Sequence, residues 1–464
     1  MKLKLTSVLV AVGLGSCALN SYADNLLQIY QLAQQKDPVI LQSKAERDAA
    51  FERINQSQAS LLPQIDLSAG YTYSTSVGDY QASKYNKASA GLNLTQSIFS
   101  QSNWINLGIS EKSATEQAAL YGYQQQDLMI RVATAYFNVL RAIDDLSYVR
   151  ANKDAVKRQL DQTQQQYKVG LSPVTDVNEA QAEYDRTVAQ EIQSENSLDN
   201  SYEAVRKIVG MIPRNLELLD TESFDPAPLQ HEGQYWMNAA SNKNLQLNAE
   251  RIAKQISEQK ISLAQSDHLP SLSLTGGLST QDKYYRNDAI NDTASDAGHA
   301  DAASVGLEFS MPLYQGGEVN SKVREARYNY VSASQTLDQT YRTVQSNLNS
   351  TYNDVRANLS SIAAYKQAVK SSLSALKATE AGFEVGTRTI VDVQDATSNL
   401  YQAKEELAGS RYDYIINMLT LKQLAGTLKL SDLEGINALL YKPKQQIPVQ
   451  PAAPSLSSSA QKTK

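Results

Sequence analysis

The stretch GFEVGTRTIVDV at residues 382–393 decides the fold, because a related stretch, QYKVGLSPVTDV, occupies residues 166–177. In both, a Val-Gly pair is followed six residues later by Asp-Val. The offset of 216 residues also pairs Tyr136 with Tyr352 and Gly210 with Gly426. A single offset that holds over such a length indicates an internal duplication. The 464-residue chain is therefore predicted to contain two copies of one structural unit.

A heptad-like spacing of apolar residues precedes each copy of this stretch and predicts long helices. The positions are Val132, Tyr136, Val139, Ile143 and Leu146 in the first copy, and Leu348, Tyr352, Val355, Leu359 and Ile362 in the second. Ranges 103–168 and 318–384 contain no proline. At 1.5 Å per residue, about 65 residues make a helix near 100 Å long. Ordinary globular domains do not need such helices.

Each long helix is expected to end at a tight tip and to be followed by a returning helix. Gly170 and Gly386 suit the left-handed position after a helix C-terminus. Ser172 followed by Pro173 suits an N-cap and first helical residue, and Thr387 and Thr389 are candidate caps in the second copy. The returning helices run to about 210 and 426, which predicts two helical hairpins.

Segments upstream of the long helices alternate apolar and polar residues, as half-buried strands do. They span 63–76, 86–99, 270–281 and 302–314, and in each copy a helix, at about 25–60 or 235–266, comes before them. Alternation alone leaves a soluble antiparallel sheet open. Their length of about ten residues also suits membrane strands, but four strands cannot close a barrel. Two chains would make too narrow a barrel, whereas three give twelve strands and a pore.

The N-terminal residues read as a secretory signal over 1–23. Lys2 and Lys4 precede an apolar run, and the segment ends at Ser21-Tyr22-Ala23, a small-x-small cleavage pattern. An alternative is a lipoprotein signal with Cys17, the chain's only cysteine, as the acylated residue. Beyond the signal, the predicted organisation is a first repeat (24–212), a connector (213–234), a second repeat (235–428) and a final segment with a disordered tail (429–464).

The composition and the absence of known motifs disfavour nucleic-acid binding, metal binding and catalysis. The net charge is −6 with no basic tract, so nucleic acid is a poor partner. The three histidines, His231, His268 and His299, lack metal-ligand spacing, and His299 is expected in a polar loop over 288–301. No phosphate-binding loop or nucleophile motif occurs. The sequence therefore predicts no catalytic residues, no metal and no cofactor.

Three motifs resemble those of the TolC family of outer-membrane efflux and secretion ducts. They are QSIF at 96–99, AYFNVL at 135–140 and VGTRTIVDV at 385–393, and the resemblance covers nearly the whole mature chain. It implies a homotrimer whose twelve-stranded β-barrel lies in the lipid of the outer membrane and continues as a periplasmic α-helical barrel. The connector and the segment after 428 would belong to an equatorial region.

The same resemblance implies a passive, gated exit duct for multidrug efflux and type I secretion. It also implies docking to a periplasmic adaptor and to an inner-membrane transporter of the RND, MFS or ABC class. The alternative is a periplasmic coiled-coil adaptor or scaffold protein without a pore.

The family's gate lies at the hairpin tips, and its residues carry over by position. Arg388 matches the gating arginine, and Thr175 and Asp176 match its partners on the neighbouring hairpin. An Arg–Asp pair can form a bidentate, charge-assisted latch. Phe383 stands where well-known members have tyrosine. Because it lacks a hydroxyl that could reach Asp176, we expect the latch to depend more heavily on Arg388.

Carboxylates near the second tip are candidates for an acidic ring at the entrance. Asp392 and Asp395 share a helix face, and three chains would bring six such carboxylates together, which favours cations. The resemblance places them at the pore; Asp176 and Glu179 occupy the equivalent positions of the first repeat, and Glu179 is a departure from the pattern. The spacing alone also fits residues that cap a helix start and complement its dipole.

Overall fold

The computed structural model describes residues 25–76, 83–213, 215–220, 224–285 and 297–441. The signal peptide, the Cys17 alternative and the predicted disordered tail beyond 441 lie outside these residues. In this part of the chain, each half contains two shorter helices, two strands and a pair of long helices, in that order.

The helix expected to open each repeat is in fact broken in two. Helices α1 (Leu26–Lys36) and α2 (Pro38–Ala59) open the first repeat, and α5 (Gly233–Lys243) and α6 (Leu245–Ser266) open the second. Asp37 and Asn244 stand between them in extended conformation, and each accepts a backbone N–H three residues on, at 2.9 Å. The expectation of one continuous helix was wrong, because these side chains cap a new helix and Pro38 cannot donate to the old one.

Two strand pairs join into one antiparallel sheet in the order β1-β2-β4-β5. The strands are β1 (Gln64–Ser76), β2 (Ser83–Phe99), β4 (Ser271–Tyr285) and β5 (Gly298–Ser310). The third predicted strand continues past 281 because Asp282 pairs with His299. His299 therefore lies on β5 and not in the expected loop. The fourth ends at Ser310 instead of 314, just before Pro312, which has no N–H to donate.

The sheet has one apolar and one small, polar face. Rows across the four strands show this: Ile65, Leu94, Gly276 and Val305 form one row, and Asp66, Asn93, Gly277 and Ser304 form the next on the other face. The apolar face is uncovered in the single chain, since Leu67 and Val305 are each 80% exposed. The outer edges of β1 and β5 pair with no described strand.

The long helices form two hairpins. The first consists of α3 (Gln101–Lys168) and α4 (Val174–Val209), and the second of α7 (Glu318–Glu384) and α8 (Ile390–Leu424). The predicted seam residues of the first copy are all buried, and in the second copy Leu348, Val355 and Ile362 are buried. No helix in the described ranges has both the length and the apolar character to cross a membrane.

The segment between the halves packs against the helices near the middle of the molecule. Strand β3 (Leu218–Leu219) pairs with β6 (Leu440–Tyr441), which follows the short helix α9 (Leu430–Asn437). The hydroxyl of Tyr136 donates to the carbonyl of Glu217 at 2.6 Å. A seam tyrosine thus fastens this segment to α3, far from the hairpin tips.

Candidate functional site: the hairpin tips

Both hairpin tips are built on the same backbone motif. Gly170 and Gly386 adopt φ values of 74° and 78°, a region that favours glycine. The N–H of the residue after each glycine donates back to the carbonyl five residues earlier, from Leu171 to Gln166 and from Thr387 to Gly382, at 2.8 Å. This is the Schellman closure. It ends the long helix sharply and allows the chain to turn back within five residues in both hairpins.

The returning helices start differently. Thr389 caps α8 and forms a capping box with Asp392: the Thr389 hydroxyl accepts the Asp392 N–H at 3.2 Å, and Asp392 accepts the Thr389 N–H at 2.8 Å. The expected Ser172 cap was misplaced by one residue. Pro173 is the N-cap and offers no side-chain bond, while the Ser172 hydroxyl donates to Asp176 at 2.9 Å.

Arg388 lies folded back against its own hairpin. Its side chain passes so close to Gly382 that a Cβ at this glycine would lie 2.8 Å from the Arg388 Cγ. Its guanidinium reaches Asp392 at 3.9 Å, a long ion pair with the Arg388 side chain 59% exposed. An exposed pair of this kind contributes little to stability. The guanidinium is therefore easily redirected to another carboxylate.

The proposed latch partners lie on the other tip. Asp176 accepts from Ser172 and, at 3.4 Å, from Thr175, whose hydroxyl is exposed. Within the described chain Arg388 and Asp176 form no ion pair, and each bonds inside its own hairpin. Phe383 is half-buried beside the tip. A single chain thus does not bring the latch together.

The acidic residues near the tips differ in their surroundings. The N–H and hydroxyl of Thr389, aided by Arg388, lower the pKa of Asp392. Asp395 and Glu179 are both exposed. Glu183, and more weakly Asp395, raise the pKa of Arg186 on α4, so the charge of Asp395 acts across the two hairpins. Asp392 therefore has the capping role that its spacing allowed, and it remains a charged group.

Two features of the tips went unnoticed in the sequence. The first is Gly382, which leaves room for the Arg388 side chain. The sequence contains a signal for it, because the 216-residue offset of the repeat pairs this glycine with Gln166. The second is an apolar surface at the two tips: Val169, Leu171 and Val385 are 69%, 80% and 74% exposed. Large apolar side chains grouped at an exposed end indicate a contact surface.

Comparison with known proteins gives extensive matches. A family model described as outer membrane efflux protein matches residues 29–211 and 236–427. The outer membrane protein TolC of Escherichia coli is 44% identical over 465 residues, covering 98% of this chain and 94% of that protein. TolC of Vibrio cholerae is 43% identical over 443 residues, covering 95% and 100%. AprF of Pseudomonas aeruginosa, an alkaline protease secretion protein, is 27% identical, covering 90% and 88%.

Solved structures agree on the fold. The CmeC outer membrane channel of Campylobacter jejuni superposes with a TM-score of 0.74 at 16% identity, covering 89% of each chain. VceC of Vibrio cholerae gives 0.70 at 19% identity, covering 86% of this chain and 96% of that one. The predicted fold class, a tandem-repeat protomer with four strands and two long helical hairpins, is confirmed. The chain therefore belongs to the outer membrane efflux protein family and is a TolC-like member of it.

Proposed function

We propose that three copies of this chain close one barrel and form a passive exit duct whose gate lies at the hairpin tips. The chain is an outer-membrane channel protein of efflux and type I secretion. The poreless periplasmic scaffold, left open by the sequence, has no support among the relatives. The observation that carries the trimer is the four-stranded sheet, with two open edges and an uncovered apolar face.

The sheet requires neighbours in a membrane. Backbone groups along β1 and β5 would lack partners in lipid, so the edges must pair with other strands. If β5 of one copy pairs with β1 of the next, three copies give twelve strands. The apolar rows then face lipid, and the rows of serine, glycine and asparagine face the lumen.

Arg388 is the central residue of the proposed gate. Its ion pair with Asp392 is long and exposed. At the tip of the first hairpin, the Asp176 carboxylate accepts hydrogen bonds only from hydroxyl groups. Around a ring of six hairpins, an Arg388 of one copy can meet Asp176 and Thr175 of its neighbour. Three such pairs of about 1 kcal/mol each would hold the entrance closed and still yield to a partner.

The exposed tips are the proposed contact surface for partner proteins. A channel of this kind works with inner-membrane transporters and adaptors. We infer that a periplasmic adaptor contacts the tip surface of Val169, Leu171 and Val385, and that an RND, MFS or ABC transporter supplies the energy. We also infer that the chain has no catalytic activity and needs no cofactor. Among the described residues, no cluster of three or more acidic or histidine side chains is placed to hold a metal ion.

Single-channel conductance in a planar bilayer tests the gate. We expect Arg388→Ala to raise the conductance of the purified channel several-fold, because the latch then loses its cation. Arg342→Ala is the matched control, since Arg342 is an exposed arginine on α7 paired with Asp338 at 2.7 Å, outside the tips. Unchanged conductance in Arg388→Ala, or an equal rise in the control, would show that the gate is elsewhere.

A further inference from the structure

An open groove of about 540 Å³ lies on the apolar face of the four-stranded sheet. It forms where two small side chains, Ala90 on β2 and Ala303 on β5, stand beside three exposed leucines. The leucines are Leu67 on β1, Leu92 on β2 and Leu278 on β4. The volume is within the range of small-molecule sites, about 300–1,000 Å³. All four strands of one chain contribute to this groove.

A polar cluster stands at one end of the groove, on the same face of the sheet. Asp301 lines the groove, and the next row across the strands pairs Asp282 with His299. The His299 Nδ1 lies 2.9 Å from the Asp282 carboxylate, and its Nε2 lies 3.2 Å from the Asp301 carboxylate. Both carboxylates are accessible, since the side chains of Asp282 and Asp301 are 45% and 72% exposed.

This cluster carries net negative charge. Among the described residues, the partners of the two carboxylates are one imidazole and the Thr280 hydroxyl. A proton on the imidazole balances only one carboxylate, so negative charge remains in either state of His299. An ionised carboxylate has about four acceptor positions, more than these bonds use. The cluster can therefore accept further hydrogen bonds from a cation.

Tyrosines on the same face place the cluster at the surface of the membrane. Tyr71 stands in the row of Asp282 and His299, and Tyr73 and Tyr284 stand in the next row towards the strand ends. All three are exposed, and such aromatic girdles mark the interfaces of membrane barrels. Because α2 and α3 join the sheet at its opposite, periplasmic end, this girdle belongs to the outer leaflet. The groove then lies in hydrocarbon, with the charged cluster at the level of the lipid headgroups.

We propose that the groove binds one acyl chain of a lipid whose headgroup carries a primary ammonium ion, and that this ion contacts the Asp282 and Asp301 carboxylates. A lipid tail is as apolar as leucine, so the groove supplies shape and little preference between headgroups. The preference comes from the charged N–H groups, which form charge-assisted hydrogen bonds with carboxylates. The site rests on the proposed barrel, because only there does this face meet lipid, but all of its contacts come from one chain.

Native mass spectrometry of the purified full-length protein tests the site. The probe is palmitoyl-oleoyl phosphatidylethanolamine, and its counterpart is the phosphatidylcholine with the same acyl chains, which is also zwitterionic but has no N–H group. We expect the protein to retain phosphatidylethanolamine about three- to fivefold more strongly than phosphatidylcholine. Since neither lipid has a net charge, the overall charge of the protein does not produce this difference.

Two variants separate the headgroup contact from the acyl-chain contact. The double variant Asp282→Asn/Asp301→Asn keeps the shape and removes the charge, so it should retain the two lipids equally. Glu308→Gln is its matched control, because Glu308 is an exposed carboxylate of β5 on the polar face. Ala303→Phe fills the groove and should reduce retention of both lipids about threefold. Val305→Phe, on the same face but outside the groove, should leave retention unchanged.

Four results would overturn the site. They are equal retention of the two lipids by wild type, a preference that survives in the double variant, the same loss in Glu308→Gln, or unchanged retention in Ala303→Phe. Because Asp282 and Asp301 are exposed, the double variant should still assemble, and heat-modifiable trimers on a gel measure this. Trimers without a lipid preference would reject the lipid site alone, whereas a wild-type protein that forms no trimer would reject the proposed barrel.

Discussion

Asp392 accepts hydrogen bonds from the backbone N–H and the hydroxyl of Thr389, at 2.8 and 2.9 Å, and also lies near the Arg388 guanidinium. Its charge and its capping role can be separated by substitution. Asp392→Asn keeps an acceptor oxygen and loses the charge, whereas Asp392→Ala loses both. We expect both variants to reduce cation selectivity in a planar bilayer, but only Asp392→Ala to lower the unfolding temperature.

Asp395→Asn is the companion variant, because Asp395 is exposed and takes no part in the capping box. It should reduce cation selectivity without any loss of stability. Full selectivity in both asparagine variants would contradict an acidic ring and leave Asp392 with its capping role only. The sequence spacing allowed both roles, because aspartates early in a helix serve caps and pores alike. The hydrogen bonds between Thr389 and Asp392 establish the capping role alone.

Asp145 on α3 makes stability depend on pH. Burial, with Glu405 nearby, raises its pKa to about 7, despite the opposing charge of Arg141. The unfolded carboxyl titrates near 4, so between about pH 4 and pH 7 the folded state holds a proton that the unfolded state has released. The free energy of unfolding therefore falls as the pH rises through this window.

Asp145→Asn should remove this penalty. We expect the variant to be more stable than wild type by about 1–2 kcal/mol near pH 8, allowing for partial exposure, and the difference to disappear near pH 4. Thermal unfolding at the two pH values measures it, with Asp161→Asn as the exposed control. A difference of the same size at both pH values would mean that the ionisation of Asp145 is not its cause.

At the scale of elements, equivalent positions in the two repeats are packed differently. Gly210 and Gly426 end the returning helices with φ values of 79° and 69°. Nothing lies within 4 Å of a Cβ placed on Gly210, whereas one on Gly426 would overlap the carbonyl of Lys243 and come within 2.7 Å of the Asn244 nitrogen. Gly426 thus lets α8 pack against the break between α5 and α6.

Gly210→Ala and Gly426→Ala therefore form a matched pair. The first should cost only the left-handed strain of a non-glycine residue, about 1–2 kcal/mol. The second adds a backbone clash and should prevent accumulation of folded protein. Western blots and thermal unfolding of the two variants measure this. An equal loss of stability in the two variants would mean that the backbone at the break between α5 and α6 can move to accommodate a Cβ at position 426.

The same breaks mark a limit of sequence reasoning about elements. Residues 25–60 contain no glycine and a single proline, so one helix is the simpler interpretation of this range. Asp37 and Pro38 carried the opposite signal, and Asn244 repeats it in the second half. Asp37 is also held by Arg131 at 2.8 Å, a contact across 94 residues that no local pattern reveals. Helix caps of this kind can be predicted from neighbouring residues in the sequence. Distant contact partners, such as Arg131 for Asp37, cannot.

At the scale of the whole molecule, alternation identified both strand pairs and their apolar faces, because side-chain direction in a strand follows a period of two. It could not show that β2 pairs with β4, since nothing local records which strands are neighbours. The row of Leu67, Leu92, Leu278 and Ala303 is apolar across all four strands only through that pairing. The continuous apolar face is thus a property of the assembled sheet.

Adjacent residues on β5 test this face in the complete assembly. Val305 is on the apolar face and 80% exposed, and Ser304 is on the polar face. Val305→Arg would place a cation in lipid at a cost of about 2–4 kcal/mol per chain, three times over in a trimer. Ser304→Arg would place the same side chain in a water-filled lumen. We expect Val305→Arg to abolish heat-modifiable trimers in the outer-membrane fraction and Ser304→Arg to leave them intact. If both variants assemble equally well, the apolar face does not meet lipid, and the arrangement of three sheets in one barrel is wrong.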